Sequence, residues 1–169
     1  MLIRPEEERD RAAVHAVNVV AFGRSDEAEL VAALRAQVPG AISLVAEEGE
    51  AVVGHILFTP VTLGGHPDLS IMGLAPMAVA PAHQRSGVGS ALVRAGLERC
   101  RERGAGAVVV LGHGEYYPRF GFAPASRFGI ASEYDVPDDV FLIVELQPGC
   151  LASASGTIRY HAAFGSVSA

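Results

Sequence analysis

Lysine is missing from this chain of 169 residues, whose 13 basic residues are all arginine. No side chain here can therefore be acylated on an ε-amine or form a Schiff base. The abundance of Ala, Gly and Val beside it fits GC-rich codon use. Cysteine is scarce. Cys100 falls in a helical stretch and Cys150 in a loop, which leaves neither a disulfide framework nor a C-x-x-C metal site. His15, His55, His66, His83, His113 and His161 show no H-x-x-x-H or H-E-x-x-H spacing, so no metal is expected. No serine has the G-x-S-x-G context of a hydrolase nucleophile. No apolar run approaches the roughly 20 residues of a membrane span. The acidic start, Met1-Leu2-Ile3-Arg4-Pro5-Glu6-Glu7-Glu8, lacks the apolar core of a signal peptide. A cytoplasmic protein without membrane contact is the expectation. Positive charge is short as well: the formal net charge is −6. That argues against nucleic acid as a partner, which needs a basic surface to neutralise phosphates.

Half of the residues are apolar, enough for one globular domain over 1–169 with a real core. Leu2–Arg4 reads as a short strand. Val14, Val17 and Ala21 mark one face of a helix from Asp10 to Phe22, punctuated by Gly23. Asp26 and Glu29 resemble a capping box for a second helix running to Gln37. From Ile42 the period changes: Ile42–Ala46 and Ala51–Pro60 form a hairpin around Glu48-Gly49-Glu50. Ser70–Val79 is another strand, in which Pro76 implies an edge, a bulge or a splay. Gly87–Arg103 is an amphipathic helix with Gly104 as its C-terminal cap. Ala107–Leu111 is wholly apolar, as suits a buried strand. A turn or short helix at Glu115–Phe120 and strands at Phe141–Leu146 and Thr157–His161 follow. Leu151–Gly156 is small and polar, a mobile loop. The order predicts a mixed α/β sheet with helices rather than a regular βαβ alternation.

The most informative segment is Val79-Ala80-Pro81-Ala82-His83-Gln84-Arg85-Ser86-Gly87-Val88-Gly89-Ser90. A strand ends, a glycine-rich turn follows and a helix opens. The first N–H groups of a helix have no partner within it and carry the positive end of its dipole. Arg85 adds a full charge, and a pyrophosphate is a natural guest. Walker A would need a lysine, and the dinucleotide fingerprint G-x-G-x-x-G would need glycine where Leu92 stands.

Gln84-Arg85-Ser86-Gly87-Val88-Gly89 matches the Q/R-x-x-G-x-G/A signature of the GNAT superfamily of acyl-CoA-dependent N-acyltransferases. Downstream, Tyr117-Pro118-Arg119-Phe120-Gly121-Phe122 matches that family's Tyr-x-x-x-Gly-Phe element. Residues 109–122 and Leu74-Ala75-Pro76-Met77-Ala78-Val79 look like its bacterial YhbS-like subgroup. The resemblance implies the GNAT fold, a mixed twisted central sheet splayed between two strands and flanked by helices. It implies acetyl-CoA as acyl donor and a primary amine of a small molecule, or of a peptide or protein, as acceptor. Pantetheine would pair with backbone at Met77, Ala78 and Val79, where an N–H near Met77 would stabilise the oxyanion. The pyrophosphate would rest on Gln84, Arg85, Ser86, Gly87, Val88, Gly89 and Ser90, with Arg85 on the pyrophosphate or the 3′-phosphate. Tyr117 would protonate the departing thiolate, since a tyrosine keeps its proton at neutral pH. Tyr116 would be structural. A homodimer through late strands is common among such proteins.

The general base stays open among Glu47, Glu48, Asp26, Glu27, Glu29, His55, His113 and a water relay. Glu27 or Glu29 could instead bind a cationic substrate. Two other readings also stay open: a non-catalytic acyl-CoA-binding module, and transfer of a longer acyl group.

Overall fold

The stretches with helical period become helices and the alternating ones become strands, close to the expected positions. The computed structural model describes residues 1–166, so the last three positions of the expected domain lie outside it. The strands are β1 (Leu2–Pro5), β2 (Ile42–Glu48), β3 (Ala51–Leu63), β4 (Ile71–Val79), β5 (Ala107–Leu111), β6 (Ala123–Pro124), β7 (Ile130–Ser132), β8 (Phe141–Glu145) and β9 (Gly156–Arg159). The helices are α1 (Arg11–Phe22), α2 (Asp26–Gln37) and α3 (Val88–Glu102), and short 3-10 turns include Tyr117–Phe120. Hydrogen bonds order the strands β1-β2-β3-β4-β5-β8-β6, with β9 joining β3 and β7 joining β9. The sheet is mixed, with β4 parallel to β5, β7 parallel to β9, and antiparallel pairs such as β1 with β2 and β5 with β8. The two short strands β6 and β7 carry too few residues to show a period in the sequence. Among the described residues no helix is long and apolar enough to cross a membrane.

The chain divides into two compact units, Met1–Thr59 with Ala75–Gly96 and the segment from Ala162 on, and Pro60–Leu74 with Leu97–His161. In the first, Leu30, Val31 and Leu34 on α2 and Val14 on α1 meet Val45 of β2 and Leu57 of β3 in a buried cluster. Each such side chain contributes about 1.5–3 kcal/mol by leaving water. The expected Asp26–Glu29 capping box does not form. Asp26 already lies inside α2, Ser25 precedes it in helical conformation, and no side chain caps the end. The Asp26 carboxylate instead faces Arg24 at 3.7 Å. A comparable device precedes α1, where the Asp10 carboxylate accepts the Glu7 backbone N–H at 2.7 Å. Arg4 holds the same carboxylate in a fork, at 2.7 and 2.9 Å, and pulls its pKa down to about 2.

Between helices and strands of this unit lies a buried polar chain. Ser43 Oγ donates to Glu6 Oε1 at 2.7 Å and lies 2.8 Å from His55 Nε2. Its one proton is spent on the carboxylate, so the imidazole must carry its own proton on Nε2 and donate to Ser43. Nδ1 is then an acceptor, and Asn18 Nδ2 reaches it at 3.3 Å while also donating to the Val14 carbonyl at 2.9 Å. Burial, reinforced by the Arg35 charge, pushes the His55 pKa down to about 3.

Helix α3 lies unusually close to β3. A Cβ at Gly54 would come within 2.9 Å of Val88 Cγ1, 3.0 Å of Leu92 Cδ1 and 3.3 Å of the Ala78 carbonyl. Farther along the helix, a Cβ at Gly96 would stand 2.1 Å from the Phe58 ring.

The second unit has its own core, in which Ile71, Ala107, Val109, Ile143 and Ile158 are buried together. Leu151 and Ala154 belong to this cluster at 2% and 8% exposure. The expected mobile loop at 151–156 is therefore pinned by two apolar side chains, whose weight the surrounding small residues concealed. The ladder between β4 and β5 pairs Ile71–Leu74 with Ala107–Val110, and β4 continues past it through Pro76, which follows a cis peptide bond.

Two measurements check these features. Gly54→Ala should cost about 1–3 kcal/mol through overpacking, read as a lower denaturation midpoint without a change of slope. His55 is held neutral by the fold, so its contribution is full above the unfolded value near 6.5 and is lost as pH falls toward 3. Stability should drop by about 3 kcal/mol between pH 7 and pH 4 from this residue. An NMR titration that finds the His55 ring of the folded protein protonating near pH 6.5 would contradict the assignment.

Candidate active site

The turn between β4 and α3 is built as the sequence suggested, with one addition. Gly87 sits at φ +90°, and Arg85 also takes a positive φ, +62°, which few non-glycine residues adopt. Alternation of left-handed with ordinary conformations curls successive N–H groups toward one concave spot, a form that binds anions. The Gly87 carbonyl accepts the first helical bond, from Ala91 N–H at 3.0 Å, so the N–H groups of Val88, Gly89 and Ser90 lie in the first turn, ahead of the α3 ladder. A Cβ at Gly87 would meet nothing within 4 Å, so glycine is needed there for its backbone angle rather than for room. The residue is exposed, as are Gln84, Arg85 and Ser86, whereas Val88 is buried and anchors the helix start.

Side chains in the turn mostly hold the turn itself. Gln84 Nε2 donates to the Val79 carbonyl at 3.0 Å, tying the loop back to the end of β4. The Ser86 hydroxyl donates to the His83 carbonyl. Val79 thus has one carbonyl lone pair engaged, while Met77 and Val79 are half-buried and Ala78 is buried. These positions fit a pyrophosphate held by backbone N–H groups with Arg85 beside it. Arg85 is the only one of the turn's side chains from Gln84 to Ser86 that carries a full charge.

Tyr117 lies in the second unit, at the start of the 3-10 turn that follows β5. Its ring is 8% exposed and packs edge-on against Tyr116 and Phe122, with centroids 5.1 and 5.5 Å away. The ring also covers Gly112, where a Cβ would stand 2.3 Å from Cε2. Gly112 therefore sets how deeply the ring can sink, a role that its spacing in the sequence did not reveal. The Tyr117 hydroxyl has no hydrogen-bond partner among the described residues and is not among their fully buried unpaired atoms. It can therefore reach a ligand. Burial, with Tyr116 beside it, pushes its pKa up to about 12. Tyr116 carries Arg119 over its ring at 4.5 Å, as suits a structural aromatic.

The base candidates separate cleanly. His55 is fully buried in the polar chain described above. Glu47 is bonded to Arg4 at 3.4 Å. Glu27 is bonded to Arg24 at 2.9 Å, and that guanidinium, against burial, lowers its pKa. Glu27 thus already holds one cation, Arg24. Asp26 faces Arg24, while Glu29 and Glu48 are exposed. His113 is exposed in the turn of Tyr117, and its carbonyl accepts the Tyr116 N–H at 3.1 Å. No group of three or more His, Cys, Asp or Glu among the described residues could hold a metal.

This geometry has the form of an acyl-CoA-dependent acetyltransferase. The model of the acetyltransferase (GNAT) domain family matches residues 2–125, and the chain belongs to that family. It is 44% identical over 134 residues to the uncharacterized N-acetyltransferase YjhQ of Escherichia coli (strain K12), covering 77% of this chain and 74% of that protein. It is 34% identical over 165 residues to the uncharacterized N-acetyltransferase YhbS of the same strain, covering 97% of this chain and 98% of the relative. The crystal structure of E. coli YhbS in complex with CoA superposes with a TM-score of 0.91 at 33% identity, over 97% of this chain and 91% of that one. A GNAT family acetyltransferase from Brucella melitensis, solved in complex with acetyl-CoA, gives a TM-score of 0.79 at 37% identity, over 96% and 97% of the two chains.

Gly87→Ala forces a side chain into the left-handed region, at a cost of about 1–3 kcal/mol, and would misdirect the N–H groups. The rise in melting temperature produced by acetyl-CoA should shrink strongly in this variant. Full protection in Gly87→Ala would remove the turn from the cofactor site.

Proposed function

We propose that the protein transfers the acetyl group of acetyl-CoA directly to a primary amine. The observation that carries this reading is the turn from Gln84 to Ser90, with left-handed Arg85 and Gly87 ahead of a helix start. Acetyl-CoA would supply an acyl group already activated as a thioester. The chain's own residues then have three tasks. The turn holds the diphosphate on backbone N–H groups, which need no rearrangement on binding. The β4 backbone from Ala75 to Val79 offers hydrogen-bonding groups to the pantetheine arm, and an N–H near Met77 stabilises the negative charge that develops on the carbonyl oxygen. Tyr117 offers a proton or a strong hydrogen bond to the sulfur that leaves.

The attacking nitrogen must be neutral. Within the turn of Tyr117, His113 is the exposed group suited to take its proton, directly or through water. Family membership leaves the acceptor open, and a small-molecule amine is the reading we adopt. The net charge of −6 favours amines with a positive charge over nucleic acid. A cytoplasmic location and pairing of two copies complete the proposal.

Release of free thiol from acetyl-CoA across a panel of amines is the direct test. Tyr117→Phe should lower kcat by about a hundredfold or more while acetyl-CoA still protects the fold against heating. Burial raises the Tyr117 pKa, so its acid form persists with rising pH. The alkaline limb of the kcat profile should show no loss from this residue until well past pH 10. Protection by acetyl-CoA without turnover of any amine would favour a non-catalytic acyl-CoA-binding module.

A further inference from the structure

Residues 126–141, all in the second unit, enclose an open cavity of about 530 Å3. Three carboxylates, Glu133, Asp135 and Asp138, belong to its lining, with Phe141 and Tyr134 as aromatic walls. Tyr134 stacks on Tyr160 with ring centroids 5.3 Å apart, which fixes the ring. None of these carboxylates has an arginine, lysine or histidine partner among the described residues. Glu133 accepts the Tyr160 backbone N–H, which orients it without neutralising it.

The cavity wall also touches the turn of the candidate acid. Phe141 pairs with Leu111 at the end of β5. The Gly112 N–H donates to the Val140 carbonyl at 2.9 Å, and the Asp139 carbonyl would be 2.5 Å from a Cβ on Gly114. Gly112 is the residue under the Tyr117 ring. One short stretch of backbone thus supports both the cavity and the acid.

We propose that this cavity receives the acceptor, and that the acceptor is an amine carrying a second, cationic group, such as a diamine or polyamine. The inference rests on the transferase reading above and names the substrate class of that same site. Its logic is electrostatic. An aliphatic amine near its ordinary pKa of about 10.4 is charged at neutral pH, and the nitrogen that attacks must first lose its proton. Carboxylates hold an ammonium group more strongly than a neutral nitrogen, so the charge they complement belongs to another part of the same molecule. An aromatic face beside them suits an ammonium group. In the transfer step the new N–C bond forms as the C–S bond breaks. One proton leaves the amine for His113 or water. Tyr117 gives one to the sulfur and recovers it from solvent.

The test uses the full chain with spermidine and n-pentylamine as probes. Calorimetry gives Kd for each, and thiol release from acetyl-CoA gives KM. The variant is Asp135→Asn with Asp138→Asn, both exposed positions. Spermidine should bind wild type more tightly than n-pentylamine. Its Kd and KM should rise about tenfold in the variant, from two solvent-facing charge pairs. Spermidine that fails to bind, or binds the variant as well as wild type, overturns the inference, even if n-pentylamine is acetylated and the transferase reading stands. Spermidine binding that is lost in the variant, with no thiol released in wild type, keeps the cavity as an amine site and sinks the transferase reading. If the variant does not fold, salt serves instead: Kd in wild type should rise several-fold as NaCl goes from about 50 to about 500 mM, and a Kd indifferent to salt overturns the inference.

Discussion

The close approach of α3 to β3 at Gly54 is the constraint on which the turn ahead of α3 depends. The absent side chain lets Val88 and Leu92 settle against the strand, with the Ala78 carbonyl of β4 at the same point. Val88 is the first residue of α3, so its burial fixes both the height and the direction of the helix start. The N–H groups of the turn then point where the seat of the helix dictates. A side chain at 54 would lift the helix, and the N–H groups of the turn would move even though no residue of the turn had changed. Gln84 secures the other end of the turn by its bond to Val79. The turn is therefore held at a strand end and a helix start, the kind of preorganisation that would spare a ligand the cost of ordering a loop.

Tyr117 depends on the same device in the other unit, a ring lowered onto a glycine. The consequence is chemical. A phenol pushed up to about 12 is a weak acid beside a thiol of ordinary pKa near 8.5. Complete proton transfer to a free, hydrated thiolate would run uphill by about 5 kcal/mol. Burial raises a thiol's pKa by the same desolvation that raises the phenol's. As the acid of the proposed transfer, Tyr117 would therefore give up its proton while the C–S bond is breaking, or when the sulfur is also out of water. What burial gives in return is a phenol that keeps its proton at working pH, and a hydroxyl with no partner among the described residues.

The parts of the candidate site carried by local sequence were legible as structure. The turn at 84–90 and the Tyr117 element are contiguous motifs, and the strands and helices that bear them follow from short periods. What could not be read were pairings across long separations. Glu47 is claimed by Arg4 over 43 positions and Ser43 by Glu6 over 37, so the availability of a carboxylate was invisible. His55 sits in a strand whose residues 53–59 are all buried, and its sequence neighbours do not show that it lies at the centre of a buried polar chain. The Asp26–Glu29 box failed because capping depends on the conformation of Ser25, which composition does not fix. Leu151 and Ala154 looked like part of a polar loop because two anchors are enough to bury a segment whose other side chains are small.

The pairing of charges distinguishes one carboxylate from another in a way that net charge does not. In the first unit the half-buried and buried acids are spoken for: Asp10 by Arg4, Glu27 by Arg24, Glu6 by Arg35. Arginine suits this work, because its planar fork matches a carboxylate with two donors and keeps its charge when buried. Those pairs are locally neutral and project little field. In the second unit Glu133, Asp135 and Asp138 face one cavity without such partners, so more of their field reaches solvent. The excess negative charge is divided evenly between the two units, and what sets the second apart is a group of three carboxylates around one cavity that a cation can approach. The all-arginine composition, which by itself says only that no lysine can be acylated, supplies the forks that neutralise the buried carboxylates of the first unit.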